Sequence, residues 1–312
     1  MSHTFNEKRY LTFRHYLKEK YGCSVRKVSI HANFTCPNRD GTLGSSGCIY
    51  CNNQAFHSQP LSNISIRNQI KNQITAFIQR KKAQKFIAYF QTYTNTYASI
   101  KQLKAVYDTI RDFPDIVGLS IGTRPDCVNP EILDLIESYA EDFDVWIEYG
   151  LQSAQDKSLE FIRRGHNYSD FLQAIGWTES RIIKICVHVI LGLPFETHQD
   201  IQDTANKLAK LPIHAVKLHP LQIIRETPLA LLYANHKISL LDLSTYVRWI
   251  VDSIEMLPPH IVIQRLTADA VDDWLIAPDW CKDKMHVLRE IDREFERRDS
   301  YQGKMYSANH RG

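Results

Sequence analysis

Short apolar runs alternate with amphipathic segments along the chain. That alternation predicts repeated β/α units and a parallel sheet. Runs rich in β-branched and aromatic residues predict strands over 27–34, 86–91, 117–121, 145–149, 184–191 and 215–221. Between them Ile66, Ile70, Ile74, Phe77 and Ile78 recur at the threes and fours of a helix that packs its apolar stripe on a core. Further helices are expected over 100–113, 130–139 and 200–211, the second opening on Pro130, which suits a first helical turn. The expected architecture is α/β: a partial (β/α)6 barrel over residues 1–259, then a C-terminal extension over 260–312 that adds a strand and a charged helix. In such barrels the chemistry sits at the C-terminal ends of the strands, so the residues just past each strand carry most weight.

A chain of 312 residues with 44% hydrophobic and 23% charged content buries one large core. The N-terminal residues lack the apolar run of a leader or anchor. The stretch over 185–193 is broken by His188 and closed by Pro194, too short to span a bilayer. A cytoplasmic protein with no membrane contact is expected. Seven unevenly spaced cysteines do not make a disulfide scaffold. A net charge of +3 permits an RNA partner without pointing to one.

Immediately after the first strand comes CPNRDGTLGSSGCIYC, which sets Cys36, Cys48 and Cys51 in a C-x11-C-x2-C arrangement on a glycine-rich loop. Thiolates suit iron–sulfur centres or zinc, and three of them leave one iron of a four-iron cluster without a protein ligand. That open iron has room for the amino and carboxylate groups of S-adenosylmethionine (SAM). The alternative is a Cys3His zinc site with His57 or His31 as fourth ligand. Tyr50, inside the CxxC, offers a ring to lie against adenine.

At these residues the sequence resembles the radical SAM superfamily, within it the branch of the Elongator catalytic subunit and oxygen-independent coproporphyrinogen oxidase. It is similar to YhcC/YtqA-type proteins, whose C-terminal pattern looks like RLTADAVDDWLIAP and REIDREFERRDSYQGKMY here. The resemblance covers most of the chain and implies a 4Fe-4S cluster on Cys36, Cys48 and Cys51, with SAM bound beside it. FQTYTNT stands where the superfamily contacts the SAM amino group, nominating Gln91, Thr92 and Thr94. SIGTRPDCV is similar to the branch's TRPD element and nominates Thr123 and Arg124, with Asp126 beside them. Gly122 occupies a place where relatives often carry Glu, so the acidic contact to SAM is either absent or comes from elsewhere, with Glu148 as a candidate. In EYGLQSAQDKSLEFIRRGH the resemblance makes Gln152 a ribose ligand and Arg164 the partner of the SAM carboxylate, a role that a planar guanidinium fits. CVHVILGLPFET places Ile190 and Gly192 at the adenine, while strand alternation puts Cys186, His188 and Ile190 on one face. His188 and Cys127 are candidates to face substrate.

The implied activity is reductive SAM cleavage followed by hydrogen abstraction, fed by an electron donor such as flavodoxin or ferredoxin. Elongator-like relatives act on the tRNA wobble uridine, so tRNA modification is the leading expectation. Arg289, Arg293, Arg297, Arg298, Lys304 and Arg311 are then candidate phosphate contacts. Two alternatives stand beside it: a radical SAM enzyme for a small molecule or tetrapyrrole, and a zinc-stabilised RNA-binding protein.

Overall fold

A computed structural model describes residues 8–52, 64–268 and 273–307. Its centre is a seven-stranded sheet running in chain order through β1 (Val25–Ile30), β2 (Lys85–Phe90), β3 (Ile116–Thr123), β4 (Asp144–Gln152), β5 (Lys184–Leu191), β6 (Ala215–Pro220) and β8 (Val262–Arg265). Every neighbouring pair is parallel. A two-stranded ribbon of β7 (Ile223–Ile224) and β9 (Leu275–Ala277) stands apart. Helices fill the connections: α2 (Ile66–Gln79), α3 (Ile100–Tyr107), α4 (Pro130–Glu137), α5 (Asp156–Phe161), α6 (Tyr168–Thr178), α7 (His198–Ala209), α8 (Pro228–Ala234) and α9 (Leu243–Met256). Strand order equal to chain order, with helical crossovers, is the winding of a β/α barrel left open. All six expected strands are present. The seventh comes from the apolar run after residue 260, whose Val262 and Ile263 are buried. Among the described residues no helix is long and apolar enough to cross a membrane.

β1 is an edge strand, and its outward backbone is covered by side chains of α2. The Gln73 amide bonds the Ser29 N–H and C=O at 3.0 and 2.7 Å, and the Gln69 amide does the same for His31 at 2.8 and 3.0 Å. This protects the edge from pairing with another chain. It also ends the strand at Ile30 instead of Phe34, because Asn33 then turns at φ +57° towards the cysteine loop. The expected helix over 100–113 is helical to Tyr107 and finishes as a tighter 3-10 turn, Asp108–Asp112, that buries Ile110.

Side chains on the inner face fall into layers. The lowest is apolar: Trp146, Cys186, Ala215 and Val262, sealed by Leu11, Phe13 and Tyr16 from the N-terminal segment and α1 (Phe13–Tyr21). Phe13 and Tyr16 meet the Trp146 ring edge-on at 5.7 and 5.8 Å. Since α1 touches both edge strands, β1 and β8, it closes the N-terminal end of the barrel. The opposite end, at the C-terminal edges of the strands, is open among the described residues.

Candidate active site

At that open end lies a cavity of about 470 Å³. Cys36, Cys48 and Cys51 all line it, with Tyr50 between the last two. Their loop is fastened from below: the Asn38 amide donates to the Arg163 and Arg164 carbonyls, each at 2.9 Å, and approaches the Cys48 sulfur at 3.4 Å. Ile49 N–H donates to Ile162 C=O at 3.1 Å, and the Leu229 N–H to Ile49 C=O at 2.9 Å. Gly47 has φ +75°, and a Cβ there would stand 2.9 Å from the Arg39 guanidinium, which bonds the Cys51 carbonyl at 2.5 Å. The loop is thus held by contacts that only glycine permits at this point.

The donor set also bears on which metal centre fits. Among the described residues, the only trio of Cys, His, Asp or Glu ligand atoms that all lie within 4.8 Å of one another is Glu148, Cys186 and His188. At least one pair of the three loop sulfurs is therefore further apart than the roughly 3.8 Å of thiolates around one tetrahedral zinc. His57 lies outside the described residues. The Glu148 trio is no cation site, because the Lys27 and Lys217 ammonium groups already occupy the carboxylate.

The strand-end residues gather around the same space, with differing freedom. Gln91, Thr92 and Thr94 follow β2 and line the cavity. Thr92 and Tyr93 both hold left-handed backbone angles, φ +59° and +58°, unfavourable for a β-branched residue and common at ligand sites. Thr94 is fully buried and its hydroxyl has no hydrogen-bond partner, an orphan that a bound polar group would satisfy. Gln152 also lines the cavity in a left-handed conformation, φ +75°, and Ile190 forms an apolar part of the wall. Thr123 is paired with the Thr96 hydroxyl at 2.6 Å.

The two arginines are committed within the protein. Arg124 makes a two-pronged pair with Asp126 at 2.9 and 2.7 Å and donates to the Arg164 carbonyl at 2.7 Å. Arg164 is buried, donates to the Gly150 carbonyl at 2.7 Å and faces the Cys48 sulfur at 3.6 Å. It ties the end of β4 to the cysteine loop as well as lining the cavity. Gly192 lies elsewhere, at φ +83° against Leu241 in a separate small recess. Cys127 faces another recess, lined by Thr96, Tyr97 and Asn129.

Beneath this tier is a charged layer. Glu148, with no exposed surface, binds Lys27 and Lys217 and accepts from Ser120 at 2.6 Å and His188 at 2.7 Å. Lys217 also donates to the Tyr89 hydroxyl at 3.1 Å, and Lys27 to Gln264 of β8 at 2.8 Å, linking the two sheet edges. Burial opposes the Glu148 charge, but the two lysines and His188 hold its carboxyl well below the usual range. Burial lowers Lys217 to about 7, with Lys27 and Arg265 adding to the effect against the pull of Glu148. Burial and Lys217 together keep His188 neutral, at about 4. With both oxygens engaged, Glu148 organises the lysines and is not free to meet a cofactor. Strand alternation held the signal for this layer: the periodicity that turns His188 inward also turns Lys217 inward on β6, paired with it in register.

Comparison with known families decides the class. The pattern of the radical SAM superfamily matches residues 36–208, and that of the radical SAM C-terminal domain matches residues 213–297. The chain belongs to the radical SAM superfamily. Radical SAM proteins use a 4Fe-4S cluster and SAM, and these are the cofactors of this protein. It is 34% identical over 307 residues to the uncharacterized protein YtqA of Bacillus subtilis, covering 96% of this chain and 94% of that one. It is 35% identical over 278 residues to protein YhcC of Escherichia coli, covering 89% of each. Among solved structures, the fold matches archaeal Methanocaldococcus infernus Elp3 with a TM-score of 0.67 at 14% identity, over 89% of this chain and 64% of that chain. Methylornithine synthase matches with a TM-score of 0.51 at 10% identity, over 93% of this chain and 86% of that chain.

Proposed function

We propose that this radical SAM enzyme modifies a tRNA base, with the wobble uridine as target. One observation carries the catalytic part: three thiols and the unpartnered Thr94 hydroxyl face a single cavity at the open end of a barrel whose other end is sealed. Cys36, Cys48 and Cys51 would hold the cluster. When bound, the cluster supplies the electron that opens a carbon–sulfur bond of SAM. Thr94 would accept from the SAM amino group, Gln152 would bind its ribose and Ile190 and Tyr50 would flank its adenine. Arg164, anchored on Gly150, presents a fixed positive charge beside the thiols and to the SAM carboxylate. The Phe13–Trp146 plug keeps water from entering below. An electron donor such as flavodoxin or ferredoxin would approach over the cysteine loop.

Support for tRNA comes from partial matches. One is to a tRNA uridine(34) acetyltransferase of Dehalococcoides mccartyi, 26% identical over 175 residues, which are 54% of this chain and 37% of that one. Another is to a tRNA-2-methylthio-N(6)-dimethylallyladenosine synthase of Thermodesulfovibrio yellowstonii, 29% identical over 105 residues. A loop-borne base is cheap to extrude into a cavity of this kind.

The phosphate contacts expected in the C-terminal segment need revision. In α10 (Lys284–Arg297), Arg293 pairs with Glu290 and Arg297 with Glu294, while Arg298 just beyond pairs with Asp252 and Glu294. Gln302 then bonds the Pro258 and Ile261 carbonyls, at the start of β8 and so at the sealed end of the barrel. Arg311 lies outside the described residues. The tRNA backbone would instead meet Arg39, Arg163 and Arg225 around the open end. Loss of one modified nucleoside at the wobble position is expected when tRNA from a deletion strain is compared with its parent by mass spectrometry. An unchanged nucleoside profile, with no binding of tRNA at low salt, would move the reading to a small-molecule or tetrapyrrole substrate.

A further inference from the structure

β5 brings a histidine into the barrel where such folds usually carry branched apolar side chains. His188 lines the cavity, with 18% of its side chain exposed. It pairs in register with Lys217 of β6. His219, two residues further along β6 on the same face, also lines the cavity and sets its ring 5.6 Å from the His188 ring. The function proposed above uses neither histidine.

The contact with Glu148 fixes which nitrogen of His188 carries a proton. Lys27 and Lys217 hold Glu148 as a carboxylate, and a carboxylate only accepts. The His188 Nε2, at 2.7 Å, is therefore the donor and bears the hydrogen. A second proton on the ring would set a third cation beside the two ammonium groups. Burial and Lys217 prevent this, lowering the ring to about 4, so at neutral pH Nδ1 is a bare lone pair. Among the described residues nothing donates to that nitrogen. His219 is kept neutral by burial first and by Arg265 next, against a pull from the Thr267 backbone, so it too carries one bare ring nitrogen.

A wall of this kind asks for a donor, and its surroundings select the type. The layer beneath already sets two ammonium groups against one carboxylate, so an ammonium donor would be repelled. A neutral N–H would not. His188, His219 and Tyr89 all line the cavity and offer flat surfaces, which suit a planar ring better than a sugar hydroxyl.

We propose that His188 is a specificity-determining residue whose Nδ1 accepts a hydrogen bond from the ring N–H of a neutral planar heterocycle in the substrate, with His219 beside that ring. Glu148 is a positioning residue that fixes the tautomer. The inference rests on this cavity being the reaction chamber. A uracil imide and a pyrrole both carry such an N–H, so the wobble-uridine reading can fail while this one stands.

Calorimetric titration of the cluster-loaded, SAM-bound protein, without reductant, reads binding with no turnover. The probes are a short RNA with one uridine, the same RNA with 3-methyluridine, pyrrole-2-carboxylate and its N-methyl form. At least one N–H probe should bind, and its methylated counterpart should bind about tenfold more weakly. His188→Gln keeps a donor for Glu148 and loses the Nδ1 acceptor, so the methyl penalty should nearly vanish in it. His188→Asn restores an acceptor near the Nδ1 position and should recover part of the penalty, whereas a plain steric clash would persist in both variants. Binding of the pyrrole but not of the RNA would end the wobble-uridine reading and leave the inference in place. Failure of both N–H probes to bind, equal binding of the methylated probes, or an unchanged penalty in His188→Gln would overturn it. If the variants fail to fold, the methyl comparison in the parent and nitrogen NMR of its histidines carry the test. His188 should then be protonated at Nε2 alone at neutral pH, and a proton on Nδ1 would overturn the assignment.

Discussion

Replacing Cys36, Cys48 and Cys51 together with alanine is expected to abolish iron uptake while leaving the barrel folded. The fold does not depend on the thiols, because the loop is tied down by Asn38, Ile49 and Gly47 through contacts that no cysteine side chain makes. Anaerobic reconstitution of the parent should yield about four irons per chain, and of the variant almost none. Circular dichroism should be the same for both. Stoichiometric zinc in the reconstituted parent, with iron absent, would restore the zinc alternative despite the spacing of the sulfurs.

The second large effect is expected at Glu148. Glu148→Leu leaves Lys27 and Lys217 facing each other in the interior with their shared counter-charge removed. Breaking a buried pair from one side costs about 3–5 kcal/mol, which urea unfolding at neutral pH will read. A Glu148→Leu, Lys217→Met double variant should recover much of the loss, since it removes one stranded cation along with its partner. The pH dependence has a definite sign. Because the folded pKa of Glu148 is depressed, its contribution is complete above the ordinary value of 4.5 and fades as pH falls through the lowered folded value. On the acid side the gap between parent and variant should accordingly narrow as pH falls through that lowered value. A variant as stable as the parent would show that the lysines are held by something other than Glu148.

How much was legible in the sequence depended on the kind of signal. Six strands follow from runs such as those over 184–191 and 215–221, since a parallel sheet covered on both faces needs continuous apolar residues. The seventh strand, Val262–Arg265, falls where a strand of the C-terminal extension is expected, but being short and half polar at its end it shows its place in the sheet only through its pairing with β6. The cysteine loop stands out because spacing is local. The strand-end motifs were equally local, and Gln91, Thr94, Gln152 and Ile190 do meet in one cavity. What local reading cannot supply is which side chain another has already taken. Glu148 looked free until Lys27 and Lys217, distant in sequence, closed on it, whereas the Arg124–Asp126 pair, two residues apart, was open to a local reading. Of the C-terminal arginines, Arg298 reaches Asp252 of α9, a pairing that local reading does not supply, while Arg293 and Arg297 pair with acids of their own helix.

The central claim is that the three loop thiols hold a cluster whose free iron meets SAM inside this cavity. Electron paramagnetic resonance of the dithionite-reduced, reconstituted protein tests it most directly. The account predicts a reduced 4Fe-4S signal that changes shape when SAM is added, and no such signal in the triple alanine variant. A cluster signal that ignores SAM, or one that persists without Cys36, Cys48 and Cys51, would contradict it.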